Sequence, residues 1–167
     1  WSWGYNAYGQ LGLNNTTNYS SPKQVGALTN WLSVSCGYLS NTVSIKTDGT
    51  LWSLGRNNYG QLGLGNTTNY SSPKQVGALT NWSSVAFGGN FTVSIKTDGT
   101  IWSWGYNGQG QLGQGNTTSY SSPKQVGALT NWLSISCGQY HTVSIKTDGT
   151  LWSVSYTHLT LPTILLV

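Results

Sequence analysis

The sequence predicts an all-β fold in which short antiparallel strands form repeated four-stranded units. A block of about fifty residues recurs, since Thr-Asp-Gly-Thr at 47–50 returns at 97–100 and 147–150, and a period of that length is typical of propellers and solenoids. Residues that favour strands and turns are abundant, with 9 Trp, 10 Tyr and 22 Gly among 167 residues. Gly or Pro interrupts every window long enough for a stable helix.

The strands of one unit can be placed from local signatures. Residues 42–47 and 50–54 flank Asp48-Gly49, which predicts a two-residue hairpin turn with positive φ at both residues. Residues 31–36 predict a further strand, and residues 22–25 a short one whose proline belongs at a strand start or edge. Four short strands and their turns are the content of one propeller blade.

A two-residue turn also predicts how the side chains of the hairpin pair. The predicted register places Ile45 opposite Trp52, Val43 opposite Leu54, and Ser44 opposite Ser53. One face of the sheet would then be bulky and the other small. Such a sheet can stack on a copy of itself and bury both faces.

The segment 55–65, Gly-Arg-Asn-Asn-Tyr-Gly-Gln-Leu-Gly-Leu-Gly, preceded by Asp48-Gly49 and Trp52-Ser53, resembles the repeat signature of the regulator of chromosome condensation family. The same frame recurs around Asn6 and Asn107, and residues 138–142 resemble the family's Gly-x-x-His-Thr element. The resemblance covers residues 1 to about 153 and implies a seven-bladed propeller. Because the chain holds only about three units, we expect a partial, about three-blade β-propeller that forms an open arc.

The chain departs from the family pattern in places. Asn41 and Phe91 stand where His141 matches the pattern, and the first copy has one extra residue between Tyr38 and Asn41. Family activities such as nucleotide exchange on a small GTPase depend on particular non-repeated residues. None of these can be carried over to this sequence.

Residues 154–167 break the repeat frame. After Trp152-Ser153 the pattern requires a Gly and an Asn-containing loop, but residues 154–163 instead resemble a translated frame of a transposase sequencing adapter. We therefore expect residues 1–153 to be a fragment of one propeller of bacterial or metagenomic origin, and residues 154–167 to be a non-native tail without function. A genuine C-terminal cap is the alternative, since terminal repeats often need one.

The titratable residues offer little for catalysis or metal binding. There is no Glu, and the three Asp residues all lie in the predicted hairpin turns, where a structural role is expected. His141 has no carboxylate near it in sequence, so we expect it to pack or to form a local hydrogen bond. Cys36 and Cys137 occupy equivalent positions, filled by Phe87 in the middle copy, which indicates an apolar slot instead of a disulfide or a zinc site. We expect no enzyme activity, cofactor or metal.

Two loops vary between the copies while the rest of the repeat is nearly identical. Tyr, Arg, Asn and Gly are favoured at recognition surfaces, because rigid aromatic side chains contribute contact area at low entropic cost. We therefore predict partner-binding residues at these positions, with neutral drift after duplication as the alternative. The candidates are Tyr5, Tyr8, Arg56, Asn58, Tyr59, Tyr106 and Gln109 in one loop, and Tyr38, Asn90, Phe91, Tyr140 and His141 in the other.

These features favour a protein-binding or scaffolding module without catalytic activity. A multivalent glycan-binding surface is the alternative, because aromatic faces stack on sugars and near-identical copies would supply repeated weak sites. Nucleic-acid binding is not expected, since the seven basic residues behind the net charge of +4 are spread along the chain instead of clustered. No apolar run approaches the roughly 20 residues that span a bilayer. The composition fits a bacterial cytoplasmic protein and a secreted or surface protein equally well.

Overall fold

A computed structural model describes residues 1–154, and all regular structure in that part of the chain is β-strand. The predicted all-β class is confirmed, and residues 155–167 of the predicted tail lie outside the described residues. No helix that could cross a membrane occurs between Trp1 and Val154. The strands are β1 (Ser2–Gly4), β2 (Tyr19–Lys23), β3 (Trp31–Gly37), β4 (Asn41–Lys46), β5 (Leu51–Gly55), β6 (Tyr70–Gln75), β7 (Trp82–Phe87), β8 (Phe91–Lys96), β9 (Ile101–Gly105), β10 (Tyr120–Gln125), β11 (Trp132–Cys137), β12 (Thr142–Lys146) and β13 (Leu151–Val154).

The strands form four antiparallel sheets in chain order. Sheet I holds β1–β2, sheet II β3–β4–β5–β6, sheet III β7–β8–β9–β10, and sheet IV β11–β12–β13. Two complete four-stranded blades thus lie between two partial ones, which agrees with the predicted partial β-propeller. β7 contacts both β3 and β11, so the sheets converge at their first strands, and β6 and β10 lie at the outer edges.

The proline of each repeat lies on an outer strand, as predicted for an edge. Pro22, Pro73 and Pro123 belong to β2, β6 and β10. Proline has no N–H to donate and is followed here by a lysine, and both residues discourage pairing with a further strand. The predicted bounds of the first of these strands are wrong, because it begins at Tyr19 instead of residue 22.

The register of the hairpin formed by β4 and β5 differs by one residue from the prediction. The structure pairs Ile45 with Leu51, Ser44 with Trp52, Val43 with Ser53, and Thr42 with Leu54. The predicted pairs Ile45–Trp52, Val43–Leu54 and Ser44–Ser53 are therefore wrong. A shift of one residue moves side chains to opposite faces of a strand pair, so one face is aliphatic and the other carries the Trp.

The turn explains the shift. The backbone N–H of Lys46 donates to the carbonyl of Thr50 at 3.0 Å, and that of Gly49 donates to the carbonyl of Lys46 at 2.9 Å. The loop therefore contains three residues, 47–49, and Gly49 has a φ of +76° while Asp48 does not have a positive φ. A three-residue loop that ends in a left-handed glycine is a common hairpin connection.

The core lies between the sheets. The aliphatic face of sheet II, with Val43, Ile45 and Leu51, packs against the aromatic face of sheet III, where Trp82, Phe87 and Trp104 are buried. The next interface repeats this arrangement, with Val93, Ile95 and Ile101 of sheet III packed against Trp132 and Ile135 of sheet IV. Each buried side chain of this kind contributes about 1.5–3 kcal/mol. Because both core clusters lie between neighbouring sheets, the stacking of the sheets supplies most of the apolar stabilisation.

The three Asp residues serve the turns, as expected from the sequence. Asp48 Oδ1 accepts hydrogen bonds from the backbone N–H of Thr50 at 2.9 Å and from its hydroxyl at 2.6 Å. The Trp52 indole N–H donates to the same hydroxyl at 2.8 Å, and Lys46 Nζ lies 3.9 Å from the centre of the Trp52 ring. Asp98 and Asp148 make the same contacts in their sheets.

Candidate functional site

The variable loops of all copies lie at one end of the arc. The connections from first to second strand and from third to fourth strand leave an antiparallel sheet at the same end, whereas the hairpin turn 47–49 leaves at the other. Hydrogen bonds join the two loops of a sheet: the N–H of Arg56 donates to the carbonyl of Ser40 at 3.0 Å, and that of Tyr106 to Asn90 at 2.9 Å. We call this end the upper face and the opposite end the lower face.

The longer loops form an outer row in which side chains of neighbouring sheets touch. The Arg56 guanidinium lies 5.2 Å from the centre of the Tyr8 ring. The Tyr59 and Tyr106 rings lie 5.0 Å apart at an interplanar angle of 60°. A cation–π contact at an exposed site contributes about 0.5–1 kcal/mol, and an edge-to-face aromatic pair about 0.5–1.5 kcal/mol. The structure therefore joins side chains from three copies into one surface.

The outer row remains open to solvent. Tyr59 is 42% exposed and Tyr5 is 57% exposed. Asn58 and Gln109 are also exposed, while Tyr8, Arg56 and Tyr106 are half-buried. All seven residues predicted in this loop thus lie on the upper face and present some surface to solvent.

The shorter loops form an inner row, nearer to the strands on which the sheets converge. Tyr38 is 83% exposed and Tyr140 is 49% exposed. Asn90 is half-buried, and its Oδ1 accepts a hydrogen bond from Gln61 Nε2 at 3.3 Å. Tyr38 and Tyr140 are therefore accessible, whereas Asn90 helps to join the two rows.

Phe91 does not belong to this surface, although it was predicted as a partner-binding residue. Its side chain is completely buried among the core residues of sheet III. Its ring lies so close to Gly88 that a Cβ there would be 2.1 Å from it. His141 occupies the equivalent position, packs over Gly138 in the same way and stays exposed. The prediction for Phe91 is wrong because variation between copies does not distinguish surface from core.

Buried asparagines hold the outer loops in shape. Asn57 is completely buried; its Oδ1 accepts from the Leu62 N–H at 2.9 Å, and its Nδ2 donates to the Asn66 carbonyl at 3.0 Å. Its own N–H donates to Asn69 Oδ1 at 2.7 Å. Asn6 and Asn107 repeat the bonds of the Asn57 side chain. The variable side chains are thus carried by a common, hydrogen-bonded framework.

Each outer loop also docks onto the following sheet. The Gln61 carbonyl accepts from Thr92 Oγ1 at 2.7 Å and from the Trp104 indole N–H at 3.0 Å. The N–H of Gly65 donates to the carbonyl of Ser121 at 2.8 Å. Neighbouring loops are therefore held at a set distance from one another by the stacking of the sheets.

Part of the upper face consists of residues that do not vary between the copies. Thr67, Thr68 and Asn69 are exposed in the same loop as Tyr59, and Thr16 and Thr17 in the loop of Tyr8. These residues are nearly identical in all copies. A search for variable positions cannot find them, and only their place in the fold identifies them as surface residues.

The two faces differ in charge. The chain has only three acidic residues, all in turns of the lower face. Hydrogen bonds from Thr50 hold the pKa of Asp48 below its ordinary value, and Thr100 and Thr150 do the same for Asp98 and Asp148. Arg56 is the one permanently charged residue in the described loops of the upper face.

The cysteines lie where the sheets converge. Cys36 and Cys137 are both free thiols, and together with Phe87 they line an open pocket. Burial raises the pKa of the Cys137 thiol to about 12, so this thiol stays protonated at neutral pH and is a poor nucleophile. Residues 1–154 contain no group of three side chains able to hold a metal ion.

Comparisons with known proteins agree with this architecture. The model of the regulator of chromosome condensation (RCC1) repeat matches residues 1–43, 48–95 and 98–145. Protein RCC2 of Homo sapiens is 39% identical over 79 residues, which are 46% of this chain and 15% of that protein. The ultraviolet-B receptor UVR8 of Arabidopsis thaliana is 35% identical over 77 residues, 46% of this chain and 18% of the receptor. The matched part of the chain thus spans less than a fifth of the length of these relatives.

Solved structures show the same fold. Human WBSCR16 matches with a TM-score of 0.79 and 25% identity over 91% of this chain and 42% of that one. Yeast RCC1 (Prp20), solved bound to Kap60, matches with a TM-score of 0.74 and 21% identity over 90% of this chain and 38% of that one. Both likenesses extend over nearly all of the residues that form sheets.

Proposed function

Because the chain belongs to the regulator of chromosome condensation (RCC1) repeat family, we propose that it is a non-catalytic, protein-binding or scaffolding part of a propeller whose upper face is the contact surface. The observation that carries the proposal is the outer row. Tyr8, Arg56, Tyr59 and Tyr106 come from three repeats and meet as two cross-sheet pairs. Tyr and Arg side chains that keep part of their surface accessible on a rigid framework are enriched among the residues that dominate protein interfaces.

The framework supports this use of the surface. The buried Asn57 and its counterparts hold the loops, so the variable side chains lose little further freedom on binding. Such preorganisation favours affinity, because ordering costs reduce the free energy of association. The fold itself is compatible with protein partners, since yeast RCC1 was solved in complex with Kap60.

The alternatives have less support. All three Asp carboxylates are engaged in turns, which leaves no paired acids for catalysis on the upper face. A multivalent glycan surface needs similar aromatic platforms on each blade. The equivalent positions here are Tyr5, Arg56 and Tyr106, and the Tyr59 and Tyr106 rings contact each other. The comparisons give no support for glycan binding.

The proposal can be tested by affinity capture. The 167-residue chain would be immobilised and used to capture proteins from an extract of its source, in parallel with the Tyr59→Ala/Tyr106→Ala variant. We expect specific partners to be lost with this variant, because truncation of a central aromatic residue commonly costs about 2 kcal/mol or more, roughly a thirtyfold loss of affinity.

Leu79→Ala is the matched control. Leu79 is also exposed, but it lies in the connection between β6 and β7 at the lower face. Partners retained by Leu79→Ala and lost with the double variant support the proposal. Capture that both variants retain equally, or no reproducible capture at all, contradicts it.

A further inference from the structure

The charge on the upper face points to the chemistry of the partner. We infer that the upper face binds an acidic protein segment through a carboxylate received by Arg56 beside Tyr8. This inference rests on the proposed function, since it names the kind of protein surface that the outer row fits.

Arg56 is held in place by its surroundings. Its backbone N–H donates to Ser40 at 3.0 Å, its carbonyl accepts from Asn41 Nδ2, and its guanidinium lies 5.2 Å from the centre of the Tyr8 ring. A cation above an aromatic face is restrained while its hydrogen-bonding edge stays free. The charge is thus preorganised at the junction of sheets I and II.

Within the described part of the chain, the terminal nitrogens of the Arg56 guanidinium are free to donate hydrogen bonds to a ligand. Arg56 Nε is buried and has no hydrogen-bond partner among residues 1–154, so a ligand can reach the cation only through the two terminal nitrogens. Two parallel N–H groups match the two oxygens of a carboxylate. No acidic side chain of the protein can supply this carboxylate, because Asp48, Asp98 and Asp148 all lie at the lower face.

The position of Arg56 in the repeat suggests a specific role. Its equivalents are Tyr5 and Tyr106, so the fold accepts a neutral aromatic side chain at this place and does not require the charge. The contact with Tyr8 joins two different repeats. The one basic residue of the outer row therefore marks a single point on an otherwise neutral aromatic surface.

The distribution of charge favours an acidic partner. Lys23, Lys74 and Lys124 are exposed along the outer strands β2, β6 and β10, and the net charge is +4. A negatively charged segment approaching the upper face meets Arg56 and no acidic side chain in the described loops. Such complementarity raises association rates and selects against basic partners.

The test uses random linear 12-residue peptides displayed on phage and selected on the immobilised 167-residue chain. We expect Asp and Glu to be enriched among the binders. A synthetic binder should lose about tenfold or more in affinity with Arg56→Gln, the change expected when a charge-assisted hydrogen bond is removed. Replacing its Asp or Glu by Asn or Gln should cause the same loss, and combining both changes should add little.

Lys74→Gln is the matched control, since it removes one positive charge from an exposed residue of the outer strand and should change the affinity less than twofold. Near-ultraviolet circular dichroism of the Arg56→Gln variant should match the parent, because the loop is held by backbone and Asn41 contacts. Arg56→Lys should restore part of the affinity, as it keeps the charge without the paired donors.

Several results would overturn the inference. Neutral binders that lose affinity with Tyr59→Ala but not with Arg56→Gln would leave the proposed function standing and remove the acidic partner. Binders indifferent to both variants, or no binders at all, would count against both proposals. Arg56-dependent binding of a 20-nucleotide single-stranded DNA, without Arg56-dependent binding of acidic peptides, would assign the charge to a nucleic acid instead.

Discussion

At the scale of single residues, buried polar side chains hold the loops of the upper face in shape. Asn57 has no solvent exposure and uses both ends of its amide on backbone groups of its own loop. The neighbouring Asn58 is exposed. Two adjacent residues of one type thus have opposite roles, one in the framework and one on the candidate contact surface.

Asn57→Ala should therefore destabilise the protein, whereas Asn58→Ala should not. Removal of the Asn57 amide leaves the Leu62 N–H and the Asn66 carbonyl without their partner, and an unsatisfied buried group costs about 1–3 kcal/mol. Urea unfolding followed by tryptophan fluorescence measures the difference. Equal unfolding midpoints for the two variants would show that water replaces the amide and that the loop does not depend on it.

At the scale of strands and turns, the three-residue hairpin is also a contact between sheets. The N–H of Trp82 donates to the Gly49 carbonyl at 3.1 Å, and a Cβ on Gly49 would lie 2.1 Å from the Thr80 carbonyl oxygen. The equivalent Gly149 has a φ of +81°, but no atom of the described residues would lie within 4 Å of a Cβ there. The energetic cost of backbone strain can therefore be measured at Gly149, and the added cost of the contact between sheets at Gly49.

Gly149→Ala should cost about 1–2 kcal/mol, the penalty for a side chain in the left-handed region. Gly49→Ala should cost about 1–3 kcal/mol more, because the connection between β6 and β7 must move to admit the methyl group. Thermal unfolding of both variants measures the two contributions. Equal losses of unfolding free energy for the two variants would mean that the connection between β6 and β7 moves without an energetic cost.

The stacking of the sheets should make two equivalent tryptophans contribute differently to stability. Trp104 and Trp3 occupy equivalent positions in β9 and β1, but Trp104 is fully buried against sheet II while Trp3 is 59% exposed. Trp104→Ala should cost about 3–5 kcal/mol, as for other buried aromatic residues, and Trp3→Ala less than about 1 kcal/mol. Chemical unfolding curves test this, and similar losses would place the stability within the sheets instead of between them.

At the scale of the whole molecule, the arc presents at its ends the faces that it buries in its interior. Leu51 is fully buried between sheets II and III, but the equivalent Leu151 is 68% exposed. Leu32 and Val34 of β3 are exposed at the other end. Because such faces are complementary to one another, they promote association between molecules.

The 167-residue chain expressed alone should therefore self-associate at micromolar concentrations. Ile145→Lys/Leu151→Lys should lower the mass measured by light scattering after size-exclusion chromatography, and Leu79→Lys should not. Removal of residues 155–167 should leave the tryptophan circular dichroism of the sheets unchanged. A monodisperse, cooperatively melting monomer that is lost with those residues would contradict both expectations and identify them as a cap.

Much of the architecture follows from the sequence by itself, because a fifty-residue period and local turn residues are properties of neighbouring positions. They predict the all-β class, the four-stranded units and the turns at Asp48, Asp98 and Asp148. They also predict which loops vary. Strand order within a unit is equally local, since each strand pairs with the next one along the chain.

Only the tertiary structure decided the features on which the proposed function depends. The register of β4 against β5 depended on a third residue in the turn, which the backbone hydrogen bonds of the turn and the positive φ of Gly49 reveal. The stacking of the sheets buried Phe91, placed Arg56 beside Tyr8, and paired Tyr59 with Tyr106. Each contact of the outer row joins residues nearly fifty positions apart. Their meeting depends on how one sheet packs on the next, which local sequence preferences do not specify.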